Sequence, residues 1–267
     1  MKERKKKEMK KQEMLKDYKR QEDKMCLAQV LDKVEFAEKR KTQEHTDFLD
    51  MYQVALVENF FRKNNFKNYK LYGGYEEAER KVAIINPQDD YLNIFKVVRV
   101  TLPEEDYGKY AHRNYLGGII KLGFTREKVG DIIVSREGAD IIVVADFAEI
   151  LASQLPSLTR FANSKITIEA IENLHKREVR MEEVKIIVPS LRLDNIVSDL
   201  ARTSRNKAAQ IINQERVFVN GQSETKLSKQ IKLNDIITIR GKGRFVVKKF
   251  EGTTRSGRTV LVIEKYV

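Results

Sequence analysis

The sequence predicts an α+β chain of several domains, and three observations carry that prediction. Apolar spacing turns helical just after residue 25. Between residues 93 and 173 the runs follow the order β-α-β-β-α-β. Beyond residue 184 come two small helices and then several strands. At 267 residues the chain is longer than a common domain of ~100–150, and its 41% hydrophobic content supplies more than one core.

The first expected segment, residues 1–24, is a Lys-rich basic arm with too few apolar residues for a core of its own, although Met9, Leu15 and Tyr18 could form a weak stripe. A helical and hairpin domain is expected over residues 25–92. Leu27, Val30, Leu31, Val34, Phe36 and Ala37 would line one helix up to about Lys41, and Asp50 caps a second that runs to about Arg62. Strands Tyr69–Tyr72 and Lys81–Ile85 flank the polar stretch Gly73–Arg80, and Pro87 ends the unit.

Residues 93–173 read as strand Ile94–Leu102, helix Tyr110–Leu122, strands Asp131–Ser135 and Ala139–Ala145, helix Phe147–Gln154 and strand Lys165–Ile171. That order is the ferredoxin-like split βαβ unit, also the scaffold of the RNA-recognition motif (RRM-like). Order alone does not give RNA binding, because the Ala139–Ala145 strand carries no aromatic ring on which a base could stack. A charged connector, residues 174–183, leads to the last domain, residues 184–267. There a strand Val184–Val188 is followed by helix Ser190–Leu200 with Ser190 as its cap, and by helix Arg205–Asn213 behind Thr203-Ser204. Strands Arg216–Val219, Ile236–Arg240, Phe245–Phe250 and Thr259–Ile263 follow, with Asn220-Gly221 as a tight turn.

Charge separates these segments more sharply than composition does. Net charge is +12, and residues 184–267 hold 17 Lys/Arg against 7 Asp/Glu, while residues 25–183 hold 23 against 26. A nearly neutral middle with a basic end points to a modular protein that binds a polyanion at that end. One cysteine and three scattered histidines offer no metal-ligand cluster, no cofactor loop of GxGxxG or Walker type is present, and no apolar run approaches the ~20 residues of a membrane span. The N-terminus lacks the apolar core of a secretory signal. The expectation is a soluble, cytoplasmic, non-catalytic protein with no cofactor, no metal and no membrane partner.

The stretch SLRLDNIVSDLARTSRNKAAQIINQERVFVNGQ, residues 190–222, resembles the S-four (S4) domain, a small RNA-binding module of two helices and antiparallel strands. The positive end of the second helix, with Arg205 and Lys207 in its first turn, suits a phosphate, and Arg192 adds a planar fork. Candidate RNA contacts are Arg192, Arg202, Ser204, Arg205, Asn206, Lys207, Arg216, Lys242 and Arg244, the last two from the basic string Arg240-Gly241-Lys242-Gly243-Arg244. Asp194 is read as structural, either a partner for a neighbouring Arg or a helix-start charge, and not as an RNA contact.

Three further stretches, 46–50 (TDFLD), 71–81 (LYGGYEEAERK) and 112–132 with its HRNYLG start, are similar to the bacterial YlmH family. The resemblance is ordered and covers nearly everything after about residue 25; the Lys-rich leader departs from it. It implies association with the large ribosomal subunit through the S4 domain, in ribosome-associated quality control of stalled nascent chains extended without a message. The implied partners are the ribosome, large-subunit ribosomal RNA and tRNA or peptidyl-tRNA, with a monomer expected off the ribosome. Arg192, Ser204, Arg205 and Lys207 fall on the RNA-facing pattern. Gly73, Gly74, Tyr75, Glu79, Arg80, His112 and Arg113 fall on family motifs, of which Tyr75, Arg80, His112 and Arg113 form a second candidate contact set. Two alternatives stay open at this point: an adaptor whose neutral middle binds protein, and an rRNA-modifying enzyme suggested by Arg192-Leu193-Asp194 but lacking a catalytic domain behind it.

Overall fold

A computed structural model describes residues 11–175 and 181–266. The chain divides into two compact units, Met1–Arg177 and Glu178–Val267. In the first, helix α1 (Gln21–Arg40) and helix α2 (Met51–Lys63) pack on a three-stranded sheet in the order β1-β3-β2, made of β1 (Glu44–His45), β2 (Tyr69–Tyr72) and β3 (Val82–Ile85). Asp50 caps α2 as expected: its carboxylate accepts the Gln53 amide at 2.8 Å while the Gln53 side chain accepts the Asp50 amide at 2.9 Å.

The described part of the arm is not loose. Met14, Leu15 and Tyr18 pack against the α1–α2 core, and Tyr18 meets Phe60 at 6.1 Å between ring centroids. Helix α1 starts at Gln21 rather than Met25, because Asp23 is buried where the Tyr52 hydroxyl donates to it at 2.9 Å. Residues 1–10 of the expected arm lie outside the described residues, as do residues 176–180 of the expected connector.

The second element set is β4 (Phe95–Thr101), α3 (His112–Lys121), β5 (Val129–Val134), β6 (Gly138–Val144), α4 (Ala145–Gln154) and β7 (Lys165–Ala170), with an antiparallel sheet in the order β5-β6-β4-β7. This is the ferredoxin-like arrangement that the sequence order predicts. What the sequence does not predict is that it shares a core with the N-terminal elements. Phe95, Val97 and Arg99 pair across the sheet with Val144, Ile142 and Asp140, so all six side chains belong to one face. That face is covered from the N-terminal side: Phe95 lies 6.2 Å from Phe48 and 6.0 Å from Tyr72, and Gly74 sits against Ile142 and Ile171. Phe48, Val82 and Ile84 join the same buried cluster as the sheet. The segments expected as separate domains, 25–92 and 93–173, therefore close over one another.

In the second unit, β8 (Met181–Val188), β9 (Val217–Val219), β10 (Gln222–Ser223), β11 (Ile236–Ile239), β12 (Gly243–Thr253) and β13 (Thr259–Tyr266) make a six-stranded sheet in the order β10-β9-β11-β12-β13-β8. Strand β8 begins inside the expected connector, because residues 181–183 pair with the far end of β13. Helices α5 (Leu193–Leu200) and α6 (Arg205–Asn213) cover one face, burying Leu193, Ile196, Val197, Ala208 and Ile212 against Val217, Ile237, Phe245 and Leu261. Helix α5 starts later than expected, and its N-cap is Arg192, not Ser190. The Ser190 hydroxyl accepts from the Asn195 side chain at 2.8 Å instead.

Candidate nucleic-acid interface

Asp194 organises the helix end of the second unit. Only 5% exposed, its carboxylate accepts Arg192 through two parallel bonds, both 3.0 Å, and Arg205 through a third at 2.9 Å. The Asn195 amide donates to it as well, at 3.0 Å. These donors, Arg192 first and then Arg205, hold the Asp194 pKa down to about 2 against the opposing cost of burial. One buried anion thus holds two guanidiniums, from adjacent helix starts and 13 residues apart in chain number, on the same carboxylate oxygen.

The two helix starts differ chemically. The first amides of α5 are already used, since Leu193 donates to the Lys229 carbonyl at 2.9 Å and Asp194 to the Leu227 carbonyl at 3.1 Å. At α6 the Ser204 hydroxyl accepts the Lys207 amide at 3.3 Å, and Arg205, Asn206 and Lys207 are all exposed in a first turn that contains no acidic residue. A helix start with this single side-chain cap, flanked by cations, is an anion-binding end. Arg202 stands exposed in the turn between the helices, in the left-handed conformation at φ 51°, where the Ser198 hydroxyl donates to the Thr203 carbonyl at 2.7 Å.

Arg216, Lys242 and Arg244 are not part of this cluster. Helix α6 has nine residues, about 13 Å of rise, and Arg216 follows its far end. There the Arg216 guanidinium donates to the Arg240 carbonyl at 3.3 Å, and the Arg240 amide donates back to the Arg216 carbonyl at 2.9 Å. Lys242 is exposed in the β11–β12 turn, and the Arg244 guanidinium lies 5.2 Å from the centre of the Tyr266 ring. The candidate set therefore forms two groups, one at each end of α6. Lys226 and Lys229 were not anticipated. They are exposed on the loop whose carbonyls close the start of α5, beside Arg192, which bridges Gln230. Their only sequence signal is a Lys at every third position through Lys226, Lys229 and Lys232 in a run without apolar periodicity.

In the first unit the second candidate set splits. Tyr75 and Arg80 are engaged inside the fold. The Tyr75 hydroxyl donates to Asp131 at 2.8 Å, as do the Glu79 and Arg80 amides at 2.8 and 3.2 Å. The Arg80 guanidinium donates to the carbonyls of Val129, Phe48 and Arg126 at 3.1, 2.9 and 3.4 Å. Gly73 is required beside it, because a Cβ there would stand 2.1 Å from the Arg80 carbonyl oxygen. His112 and Arg113 are exposed in the first turn of α3.

Three family models match this architecture in order. Residues 22–90 match "YlmH, N-terminal", residues 87–175 match "Putative RNA-binding domain in YlmH", and residues 191–237 match the S4 domain. The chain belongs to the YlmH family. A curated relative from Bacillus subtilis (strain 168), "Ribosome-associated protein quality control protein P2", is 28% identical over 255 residues, which is 92% of this chain and 96% of the relative. A solved structure, "Cell division protein ylmH from Streptococcus pneumoniae", is similar with a TM-score of 0.48 and 16% identity over 59% of this chain and 98% of that one. The two YlmH models meet at residues 87–90, across the single core in which Phe48, Val82 and Ile84 pack with the β4–β7 sheet. The S4 match takes in both helix starts, Asp194 and the Lys226–Lys229 loop, and stops before Lys242 and Arg244. Among the described residues no helix is long and apolar enough to cross a membrane.

Proposed function

We propose that this YlmH-family chain is a non-catalytic RNA-binding protein that acts on the ribosome, holding large-subunit ribosomal RNA and tRNA on stalled ribosomes during quality control. The observation that carries the reading is the Asp194 brace, which holds Arg192 together with Arg205 at the cationic start of α6. Two planar forks and a helix dipole converging on one point suit a bent phosphate backbone better than a small anion. The name of the Bacillus relative supports the ribosome as the setting, and the family's RNA-binding domain descriptions support the ligand class. His112 and Arg113 are proposed as a separate, weaker contact, since both are exposed at a helix start.

Co-sedimentation with ribosomes tests this reading. Wild type is expected to travel with large subunits at physiological salt, and a folded Arg192→Ala/Arg205→Ala/Lys207→Ala variant is expected to stay in the supernatant. In equilibrium binding, each phosphate contact removed should flatten the log–log salt dependence by roughly 0.7–0.9. Equal sedimentation of both proteins would move the contact to another surface, and no sedimentation of wild type would remove the ribosome from the proposal.

A further inference from the structure

The face of the C-terminal sheet turned away from the helices carries a row of rings and guanidiniums that the helix-end grip does not use. Along β9, β11 and β12 the residues Val217, Ile237, Ile239, Phe245 and Val247 are buried in the core. The alternate positions Phe218, Thr238 and Arg244 turn to the opposite face and stand in register on neighbouring strands. The next strand brings Tyr266, with the Arg244 guanidinium 5.2 Å from its ring centre, and Arg240 folds back to 4.9 Å from the centre of Phe218. Three strand spacings separate the two rings, about 14 Å.

We propose that this open face is a stacking surface for unpaired RNA bases, with Phe218 and Tyr266 as its rings and Arg240 and Arg244 as the planar cations that close over a bound base or pass to its phosphates. The inference rests on the RNA-binding reading and adds a second ligand class, single-stranded or looped RNA, at a second place. Aromatic side chains on a sheet take base faces, which an unpaired strand exposes and a closed duplex does not. A guanidinium already lying on a ring marks a surface that accepts a flat, electron-rich layer from either side. Arg216 and Lys242 add positive charge at the β11–β12 turn, and Glu264 further along the sheet is paired with Lys248 at 3.1 Å. The ring spacing leaves room for two or three nucleotides between the outer stacks, the number an RNA-recognition sheet handles.

The chain contains no tryptophan, so Phe218→Trp gives a single reporter on this face. Titrated with an oligouridine, its fluorescence should be quenched, and a fully paired RNA hairpin stem should quench it far less. Phe218→Leu/Tyr266→Leu, with every charge kept, should weaken oligouridine binding by about tenfold or more, leave the paired stem unchanged and leave the salt slope unchanged. The ring-preserving pair Phe218→Tyr/Tyr266→Phe should bind as wild type, which separates loss of stacking from loss of folding. Wild-type oligouridine affinity in the folded leucine variant, or unquenched indole fluorescence in the Phe218→Trp protein, would overturn the proposal. If wild type binds the paired stem but the rings do not matter, stacking fails while the helix-end grip stands. If the Arg192/Arg205/Lys207 alanine variant keeps both the oligouridine binding that the leucine variant loses and wild-type binding to the paired stem, stacking stands and the helix-end grip is wrong. If wild type binds neither RNA, both readings fall.

Discussion

Asp194→Ala will weaken binding to structured ribosomal RNA by roughly three- to tenfold although it makes the protein more positive by one charge. A simple polycation would gain affinity from that change. Here the carboxylate holds the Arg192 and Arg205 heads together by three bonds of 3.0, 3.0 and 2.9 Å, and without it two long side chains must be ordered by the ligand itself. The salt slope should stay near that of wild type, because no phosphate contact is removed, while the loss appears in affinity at every salt concentration. Stronger binding by the variant would show that the two arginines act as bulk charge and that the brace has no role in recognition.

The same residue predicts a pH dependence. With the folded pKa at about 2 and an unfolded aspartate near 3.9, Asp194 is depressed in the native state. Its contribution is therefore complete above about pH 4 and disappears as pH falls toward 2. Because its partners Arg192 and Arg205 are 37% and 58% exposed, solvent screening reduces that contribution to about 1–2 kcal/mol. Acid unfolding of wild type and Asp194→Asn should accordingly converge near pH 2 and separate above pH 4. Parallel curves throughout would place the brace's energy elsewhere.

Local signals were readable wherever the chain satisfies itself within a few residues. Asp50 with Gln53, Ser204 with Lys207 and the β-α-β-β-α-β order all stand in the sequence and in the fold. Ser190 misled because the carbonyls of Leu227 and Lys229, more than 30 residues away, take the first amides of α5 and move its start to Leu193. The S4 pattern singles out Arg192 and Arg205, and the sequence leaves Asp194 as either an arginine partner or a helix-start charge. That it holds both at once needed the α5–α6 packing. Arg216 stands near them in sequence, yet the nine residues of α6 lie between, while Lys242 and Arg244 belong to a second basic string in the sequence and in the fold. The long β12–β13 ribbon was underestimated for a similar reason: residues 251–253 and 264–266 lack a buried apolar pattern and become strand only through pairing, the first with residues 259–260 and the second with residues 245–246 and with β8.

Arg80→Ala will destabilise the first unit by about 2–3 kcal/mol and leave RNA binding by the folded protein unchanged. The guanidinium is mostly buried, and its donors serve carbonyls from three separate segments, Phe48, Arg126 and Val129, while its backbone amide and that of Glu79 are held by Asp131. Removing it orphans the Phe48 carbonyl and loosens the Gly73–Arg80 loop from the sheet it covers. One effect runs the other way. Arg126, pushed down to about 10 by burial and then by the neighbouring Arg80 charge, is relieved when that charge goes, and it keeps its own bonds to Val129 and Gly130 at 2.6 and 2.8 Å. The loss wins because a partial relief of repulsion does not replace a fork that ties three backbone segments. Arg80→Lys should fail to rescue, since one ammonium cannot reach three carbonyls in different directions. Thermal melting should show a fall of about 5–10 °C for both variants. An unchanged midpoint with lost RNA binding would return Arg80 to the interface and mean that the covered face of the sheet opens when RNA arrives.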